Sequence, residues 1–365
     1  MINSDNETYK APNSAVLVNQ IIGIPLSLDR FLAWVKNEKN TGDLNSHDWK
    51  VRSEDKEGVL RIRAEGYVPS TSNADNSAEE TTVKCCLNLP APAKLNLFLH
   101  VIGRKPDGMH LLESVFSMID LCDYLDFEVL DEPKIIREGD ISWALGKDLC
   151  CRAAKLMQQF APHRGVRITV RKNIPDGAGM GGGSSDAATC LIALNRLWDI
   201  NKKRNELLNL AVTLGADVPF FIFGQTAFAQ GVGEVLTPVV TDDFEGAVVF
   251  PGASVPTADV FKSPNLTRDT DSIRITNSSS AALLRLPLDF GHNDLEPVAA
   301  DICPSVKEAI DCLKQLGKAR MTGSGSAVFY AVKSGAEVRL ISNLPIGWRQ
   351  WAFRSLKFHP LYDWA

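Results

Sequence analysis

The sequence predicts an α+β fold in two lobes, with the functional site between the lobes and an extension at the N-terminus. Strands that alternate apolar and polar residues, as strands with one solvated face do, are mixed with helical patterns along the chain. A glycine-rich loop connects one of these strands directly to a helix. A second group of helical and strand patterns begins near Val255 and predicts the second lobe.

Composition limits the class of protein and its partners. The chain has 365 residues, of which 45% are hydrophobic and 23% charged, as in ordinary globular proteins of two or three domains. A net charge of −5 argues against a broad nucleic-acid surface. No apolar run approaches the roughly 20 residues that cross a membrane, and the N-terminal MINSDNETYK has no signal-peptide features. We expect a small-molecule partner, neither nucleic acid nor membrane, and predict no particular oligomeric state.

The cysteines indicate the compartment. None of them has C-x-x-C spacing, so they predict neither a zinc site nor a disulfide framework. The eight cysteines are Cys85, Cys86, Cys122, Cys150, Cys151, Cys190, Cys303 and Cys312. We interpret these cysteines as small buried hydrophobic residues of a reducing compartment, the cytoplasm.

Periodicity predicts the elements in order. A strand over Val166–Arg171 has Val166, Ile168 and Val170 on one face, which is the pattern of a half-buried strand. The apolar FFIF at 220–223 is also predicted to be a strand. The other predicted strands lie at 87–101, within 226–250 and at 327–333, and the predicted helices lie near 148–160, 184–198, 204–214 and 304–317, before a tail of helix and strand.

The loop from Pro175 to Ser185 predicts a phosphate site. Its glycines lack a Cβ, so the backbone can fold around a ligand with its N–H groups pointing inward. The helix that follows adds orphan N–H donors and a partial positive charge, and Ser184 or Ser185 is expected to be its N-cap. Together these features form an anion site, whereas a flexible surface loop would not lead into a capped amphipathic helix.

Two better-known phosphate loops fit less well. A Walker A loop needs a Lys before its Ser or Thr, whereas Gly183 precedes Ser184. Gly177, Gly179 and Gly182 do satisfy the G-x-G-x-x-G pattern of dinucleotide-binding folds. That fold requires a fully buried parallel strand before the loop and an acidic residue about 20 residues later. The strand here alternates, so a Rossmann oxidoreductase remains the lesser alternative.

The sequence neighbours of Lys94, Asn96 and Asp217 indicate that these polar residues are candidates for a functional site. Strand alternation puts Lys94 and Asn96 on the same face as Phe98, which favours a cleft over a solvated surface. Asp217 lies among apolar residues, where a carboxylate is either paired or has a raised pKa. A surface role for Lys94 and a turn or capping role for Asp217 stay open at this point.

The order strand, Pro-x-x-x-Gly-Met-Gly-Gly-Gly-Ser-Ser, helix resembles the GHMP small-molecule kinases. Agreeing segments are PAPAKLNLFLHVIGRKPDGMH at 90–110, LGADVPFFIFG at 214–224, NDLE at 293–296, MTGSGSAVFY at 321–330 and HPL at 359–361, so the resemblance covers about 89–365. It implies a two-lobed kinase that transfers phosphate from ATP to an alcohol. Within that family, the segment IPDGAGMGGGSSDAA resembles the branch whose acceptor is the 2-hydroxyl of 4-diphosphocytidyl-2-C-methyl-D-erythritol, in the non-mevalonate isoprenoid pathway.

The resemblance also implies the roles of individual residues. Lys94 and Asp217 would be catalytic, ATP would be the co-substrate with Mg²⁺, and Gly323–Ser326 would support the phosphate loop. Met109 departs from the aromatic residue, usually Tyr, that stacks on cytosine in this branch, which predicts weaker nucleotide binding. The implied substrate-facing residues are Asn96, Met109, His110, Thr257 and Phe261. The implied ATP-binding residues are Pro175, Asp176, Gly177, Ala178, Gly179, Met180, Gly181, Gly182, Gly183, Ser184 and Ser185.

The domain organisation follows from these segments. We predict an N-terminal extension at 1–68, a polar linker at 69–86, an ATP-binding lobe at 87–250 and a second lobe at 251–365. GIPLSLDRFLAWV and DKEGVLRIRAEGY in the extension resemble the C-terminal part of the outer-membrane lipoprotein-sorting family LolB. The lipidation cysteine and signal peptide of that family are missing, so we interpret the extension as a fused appendage without that function.

Alternative functions of the whole chain are another GHMP kinase acting on a sugar or mevalonate-like alcohol, and a non-catalytic phosphate-binding relative.

Overall fold

A computed structural model describes residues 15–22, 50–56, 59–67, 81–140, 144, 146–273 and 287–365. For 15–22, 50–56, 59–67 and 81–84 it describes the backbone alone. Most of the N-terminal extension, including the run from 23 to 49, lies outside the described residues. So do residues 69–80 of the predicted linker, whereas its last residues, 81–86, belong to a strand.

Runs of strands are followed by runs of helices along the chain, as in an α+β fold. The strands are β1 (Ala15–Ile22), β2 (Lys50–Lys56), β3 (Val59–Tyr67), β4 (Thr81–Arg104), β5 (His110–Leu130), β6 (Ile135–Gly139), β7 (Gly165–Arg171), β8 (Ala227–Gln230), β9 (Val235–Pro238), β10 (Phe244–Phe250), β11 (Arg320–Met321), β12 (Val328–Lys333) and β13 (Arg349–Leu356). The helices are α1 (Leu149–Gln158), α2 (Gly182–Leu197), α3 (Arg204–Val212), α4 (Val218–Phe223), α5 (Thr257–Lys262), α6 (Glu296–Ile302) and α7 (Pro304–Lys314), and a 3-10 turn covers Tyr362–Trp364.

One strand joins the sheets of the two lobes. The hydrogen-bonded order of the described strands is β11-β12-β10-β13-β5-β4-β1-β3-β2. β13 pairs with β10 along most of its length and then with β5 through Ser355 and Leu356. The C-terminal strand therefore fixes the second lobe to the strand beside the one that carries Lys94.

The long β4–β5 ladder positions the residues of the site. The two strands run antiparallel from Cys85, opposite Glu128, to Arg104, opposite His110, with several shifts of register. The N-terminal strand β1 pairs in parallel with the first residues of β4, 81–87, ahead of Lys94. The first lobe packs its core around α2, which is buried on most of its surface against β4, α1 and α4.

Most predicted elements are confirmed, and the differences have local causes. The predicted strand at 87–101 is longer, and 166–171 alternates between buried and half-buried residues as expected. The prediction of a strand at 220–223 is wrong, because this segment is helix α4. A short apolar run cannot distinguish a buried strand from a buried helix by periodicity. Pro219 in the first turn and Gly224 at φ 74° after the last are the signals of a helix.

The eight cysteines, all of which lie in the described ranges, form no disulfide, and most are buried as predicted. The exceptions are Cys303 and Cys312, which are half-buried. Burial raises the pKa of the Cys122 thiol to about 12, and the charges of Asp120 and Asp123 add to this. Within the described ranges, we find no helix with the length and apolar character needed to cross a membrane.

Candidate active site

The glycine-rich loop lines a cleft of ≈ 490 Å³ in the first lobe. The predicted ATP-binding residues on its wall are Pro175, Asp176, Gly177, Ala178, Gly179, Gly181, Gly182, Gly183 and Ser184. Met180 and Ser185 are buried and do not line it. Met180 instead accepts the backbone N–H of Lys94 through its carbonyl oxygen at 2.9 Å, so the loop is tied directly to β4.

The loop requires glycine at alternate positions. Gly177, Gly179 and Gly181 have φ of 66°, 77° and 72°, a region that side chains rarely adopt. A Cβ on Gly179 would lie 2.3 Å from the carbonyl oxygen of Thr322, so the loop and the Gly323–Ser326 segment are in close contact. The expected support of the phosphate loop by that segment of the second lobe is therefore present in the geometry.

Helix α2 begins earlier than predicted. Its N-cap is Gly181, with no side-chain capping bond, so the prediction of Ser184 or Ser185 as N-cap is wrong. Gly181 takes the left-handed conformation that lets the chain enter the helix directly from the loop. The orphan N–H groups of the first turn thus belong to residues that line the cleft, an arrangement that is able to receive an anion.

Lys94 and Asp217 lie together at the edge of this loop. The Nζ of Lys94 lies 3.7 Å from Oδ2 of Asp217. The Lys94 side chain is 5% exposed, and that of Asp217 is 37% exposed. A Cβ on Gly181 would lie 3.1 Å from Cγ of Lys94, so the ammonium-bearing chain passes directly beside the phosphate loop. A carboxylate paired with a charge was one of the two expectations for Asp217, and the structure shows this pair.

Asn96 holds the Lys94 ammonium in place. Its Oδ1 accepts a hydrogen bond from Nζ of Lys94 at 2.8 Å, and its amide nitrogen donates to the hydroxyl of Ser114 at 2.9 Å. Its backbone N–H donates to the Thr322 hydroxyl at 2.9 Å. The Lys94 contact fixes which way the amide faces, because an ammonium only donates and must therefore meet the amide oxygen. Phe98 contributes to the apolar core beside this site rather than to its polar wall.

A buried ion triad lies behind the loop. The ammonium of Lys172 bridges Oδ2 of Asp123 at 2.5 Å and Oδ2 of Asp186 at 2.7 Å. The other oxygen of Asp123 accepts the backbone N–H groups of Asn173 and Ile174, directly before Pro175. Burial raises the pKa of Asp186 to about 7, although Lys172 opposes this, and the nearby charge of Asp123 adds to it. One cation therefore serves two carboxylates at the start of the loop.

The residues expected to face cytidine form a second group. The rings of His110 and Phe261 lie 4.9 Å apart and are inclined by 33°. Met109 is 52% exposed, and its backbone N–H donates to the side chain of Asp107 at 2.9 Å. The Thr257 hydroxyl lies 2.6 Å from that of Ser324, next to the supporting segment. The structure thus places Asn96 beside Lys94, pairs the rings of His110 and Phe261, and puts the Thr257 hydroxyl against that of Ser324.

Sequence reasoning missed several residues of the site. Lys147 and Arg137 line the cleft, and Arg268 bonds to His110, yet none of them belongs to a distinctive motif. Asp123 and Lys172 are far apart in the chain and meet only through the pairing of β5 with β7. Lys172, three residues before Pro175, was the one local signal for the triad of Lys172, Asp123 and Asp186.

No cluster of three or more His, Cys, Asp or Glu side chains able to hold a metal occurs among the described residues. The cleft wall nevertheless offers the oxygen donors of Asp176 and Ser184. Mg²⁺ needs only one or two protein oxygens when it is bound together with nucleotide phosphates. The residues present therefore fit a metal ion that arrives with ATP.

Comparison with known proteins identifies the family. The chain matches the GHMP kinases N terminal domain over 148–225 and the GHMP kinases C terminal domain over 275–348. It is 47% identical over 285 residues to the 4-diphosphocytidyl-2-C-methyl-D-erythritol kinase of Herminiimonas arsenicoxydans, covering 76% of this chain and 98% of that protein. The enzyme of the same name from Thiobacillus denitrificans is 48% identical over 279 residues, with 76% and 98% covered. The chain belongs to the 4-diphosphocytidyl-2-C-methyl-D-erythritol kinase family.

Solved structures agree with this assignment to the 4-diphosphocytidyl-2-C-methyl-D-erythritol kinase family. A crystal structure of 4-(cytidine 5'-diphospho)-2C-methyl-D-erythritol kinase superposes with a TM-score of 0.59 at 35% identity, covering 73% of this chain and 98% of that one. Homoserine kinase from Cytophaga hutchinsonii shares the fold, with a TM-score of 0.54 at 14% identity, covering 79% and 98%. The Rossmann alternative is excluded, because β7 before the loop pairs antiparallel with β5 and the family is a kinase family.

Proposed function

We propose that this protein transfers the γ-phosphoryl group of ATP to the 2-hydroxyl of 4-diphosphocytidyl-2-C-methyl-D-erythritol. The observation that carries the proposal is the Lys94–Asp217 pair beside Gly181 of the phosphate loop. An ammonium, a carboxylate and an anion site within one small space are the groups that an alcohol kinase requires. The names of the two relatives described above supply the acceptor.

ATP would bind with its phosphates at the start of α2. The backbone N–H groups of the loop would donate to phosphate oxygens, and the helix dipole would favour their negative charge. Mg²⁺, held by Asp176 or Ser184 together with the nucleotide, would neutralise part of that charge. The exposed Lys147 on the cleft wall is a further candidate for a phosphate contact.

Lys94 would stabilise the transferring group. Its ammonium is nearly buried and is held by Asn96, so it needs little reorganisation when charge develops on the phosphoryl oxygens. An ammonium has three N–H donors, and those not engaged by Asn96 and Asp217 can be donated to an oxygen of the acceptor alcohol or the phosphate. Phe116, whose ring centroid lies 4.6 Å from Nζ, completes the dry wall behind it.

Asp217 would orient the acceptor. Its carboxylate is partly open, so it is able to accept the hydrogen bond of the substrate hydroxyl. As the oxygen of that hydroxyl bonds to the γ-phosphorus and the bond to the leaving ADP oxygen breaks, the hydroxyl proton passes to Asp217. Phosphoryl transfer is often loose, so positioning and charge would contribute more than early removal of the proton.

The cytidine end would lie against the second group. His110 and Phe261 present ring faces and edges suited to a pyrimidine, and Met109 adds a flexible thioether. Thr257 offers a hydroxyl beside the supporting segment. We further propose that the enzyme acts in the cytoplasm, because its eight described cysteines form no disulfide. We also propose that residues 87–365 form the catalytic unit, with a boundary near residue 250.

The test is product formation. Purified protein is incubated with ATP, Mg²⁺ and 4-diphosphocytidyl-2-C-methyl-D-erythritol, and the phosphorylated alcohol and ADP are identified by mass spectrometry. Mevalonate, galactose and homoserine in parallel reactions test other acceptors of GHMP-type kinases. Faster phosphorylation of one of these than of the cytidine substrate would contradict the proposal, as would the absence of ADP with every acceptor.

A further inference from the structure

A segment of the second lobe crosses the ends of β4 and β5, and we call Leu266–Ile273 the strap. Leu266 is buried in the core of the second lobe. Thr270 donates from its hydroxyl to Asp294 at 2.8 Å and from its backbone N–H to the carbonyl oxygen of Val101 at 3.2 Å. Further along, Ser272 and Ile273 both donate to the buried carboxylate of Glu113. The strap is therefore held at both ends and along its length.

Arg268 is the strap residue that reaches the predicted cytidine group. Its Nε donates to Nε2 of His110, the first residue of β5, at 3.0 Å. Its Nη2 donates to the carbonyl oxygens of Phe261 at 3.0 Å and Ser263 at 2.7 Å, and its Nη1 to that of Leu266 at 2.9 Å. One guanidinium thus ties the His110 ring to the end of the helix that carries Phe261.

We propose that Arg268 is a positioning residue for recognition of the nucleoside end of the substrate, acting through His110 and Phe261. It holds the His110 ring in one tautomer and fixes that ring relative to the Phe261 helix. The inference rests on the proposed function, which takes both rings as facing cytidine.

The tautomer follows from the donor chemistry of arginine. A guanidinium has no acceptor, so Nε2 of His110 must be unprotonated to receive the Arg268 bond. The neutral ring then carries its proton on Nδ1, which becomes its sole donor, and cytosine offers acceptors at its O2 and N3 atoms. Protonation of Nε2 would break the Arg268 bond and place two cations together. Accordingly, burial lowers the pKa of His110, and the charges of Arg268 and Arg104 lower it further.

Lysine cannot replace arginine here. The four acceptors of Arg268 are spread around a planar fork, whereas an ammonium is a single compact donor on a flexible stem. Arg268→Lys keeps the charge but loses the geometry, and Arg268→Ala loses both. The two variants therefore separate the electrostatic effect on His110 from the positioning effect.

The first test needs no turnover. Nitrogen-15 NMR of the parent protein, with the His110 signals assigned by their loss in His110→Asn, should show a protonated Nδ1 and an unprotonated Nε2 at neutral pH. A protonated Nε2 in the neutral ring would overturn the proposal. This result is independent of whether the protein phosphorylates a cytidine substrate, so it is distinguishable from a failure of the proposed function, which absent product from the parent would reveal.

The second test compares KM for the cytidine substrate with KM for ATP. Arg268→Ala and Arg268→Lys should raise KM for the cytidine substrate about tenfold or more, while KM for ATP changes less than about twofold. The matched control is Arg354→Lys, because Arg354 is exposed on β13 and pairs with Glu245. This substitution should leave KM for the cytidine substrate and KM for ATP unchanged. Because Arg268→Lys keeps the positive charge beside His110, the rise of KM on the acid side should begin at higher pH in Arg268→Ala than in Arg268→Lys.

A double-mutant cycle completes the test. If Arg268 acts through His110, then adding Arg268→Ala to His110→Ala should raise KM much less than it does in the parent. Additive effects, or equal increases of KM for both substrates, would overturn the proposal. Should Arg268→Ala fail to fold by circular dichroism, Arg268→Lys takes its place in the cycle, with the same outcomes deciding.

Discussion

Lys94 and Asp217 form an ion pair whose two members differ sharply in exposure. Their charged atoms are 3.7 Å apart, yet the lysine side chain is 5% exposed and that of the aspartate 37%. The lysine is fixed by Asn96 within β4, whereas the aspartate stands at the start of α4 and faces open space. This asymmetry suits a fixed cation that stabilises a transferring group and a carboxylate that meets an incoming hydroxyl.

Removing either charge of this pair should reduce the rate far more than it weakens ATP binding. Lys94→Ala and Asp217→Asn are each expected to lower kcat by about 10²–10³, the usual effect of losing a preorganised group at a reacting centre. The exposed pair Lys307 and Asp311 on α7 provides matched controls, because Lys307→Ala and Asp311→Asn remove the same charges far from the cleft. Steady-state kinetics with both substrates checks this, and a Lys94 or Asp217 variant with roughly half of the parent kcat would contradict the assigned role.

Two glycines of the phosphate loop should respond differently to substitution. A Cβ on Gly183 meets nothing closer than Leu149 at 3.9 Å, so Gly183→Val should leave thermal stability nearly unchanged while its side chain fills space beside the phosphates. KM for ATP should then rise about tenfold or more. On Gly179 a Cβ would lie 2.3 Å from the Thr322 carbonyl oxygen, at φ 77°, so Gly179→Ala should lower Tm as well. Calorimetry and ATP titration check both, and unchanged ATP binding in Gly183→Val would mean that the phosphates bind elsewhere.

The two carboxylates of the buried triad should not be equivalent. Asp123→Asn removes the charged acceptor of two backbone N–H groups as well as a partner of Lys172, and should cost about 3–5 kcal/mol, as breaking buried pairs does. Asp186→Asn leaves the Lys172–Asp123 pair intact and should cost less. Thermal melts of both variants at pH 7 measure this, and equal losses of Tm would show that the bonds to Asn173 and Ile174 contribute little.

The pH dependence of the Asp186 variant has a definite sign. Because the folded-state pKa of Asp186 is raised to about 7, the folded chain binds more protons than the unfolded chain between the usual pKa of aspartate and pH 7. The contribution of this group to stability therefore falls as pH rises through that window. The stability of Asp186→Asn relative to the parent should improve from pH 4 to pH 7, and the opposite trend would contradict the raised pKa.

His359 should weaken the fold in acid. Its ring is buried, Nδ1 accepts the backbone N–H of Leu361 at 3.0 Å, and burial together with the charge of Arg204 lowers its pKa to about 3. As pH falls below the usual pKa of histidine, the unfolded chain takes up a proton that the folded chain does not, so stability is lost until about pH 3. His359→Asn keeps an acceptor near Nδ1 without titrating, so its loss of Tm between pH 7 and pH 4 should be smaller. Equal losses would show that His359 is protonated in the folded state.

The N-terminal extension should be dispensable for catalysis. β1 pairs with β4 only at residues 81–87, whereas β4 retains its ladder with β5 from Cys85 onward. A chain that begins at Thr82 should therefore keep Lys94 in place and retain kcat/KM within about twofold. If that chain is folded by circular dichroism but loses activity tenfold or more, the extension contributes to the site.

Local sequence determined the parts of the site that depend on local conformation. The glycines before α2 are needed where the backbone takes φ between 66° and 77°, and a pattern of such residues is visible without any partner. The alternation in β4 likewise placed Lys94 and Asn96 on one face, and their 2.8 Å bond confirms it. The prediction for 220–223 was wrong because four apolar residues bury equally well as a strand or a helix. The flanking Pro219 and Gly224, together with packing against α2 and α3, make this segment a helix.

The sequence by itself determined the glycine positions before α2 and the alternation that puts Lys94 and Asn96 on one face of β4, because glycine conformation and strand periodicity act over a few residues. From these and the matching segments it predicted a GHMP-type kinase. The tertiary structure decided which distant charges meet. Lys172 reaches Asp123 through the β5–β7 ladder, and Arg268 reaches His110 only because the strap of one lobe lies across the strands of the other. Contacts of this kind depend on sheet register and lobe packing, which no spacing along the chain encodes.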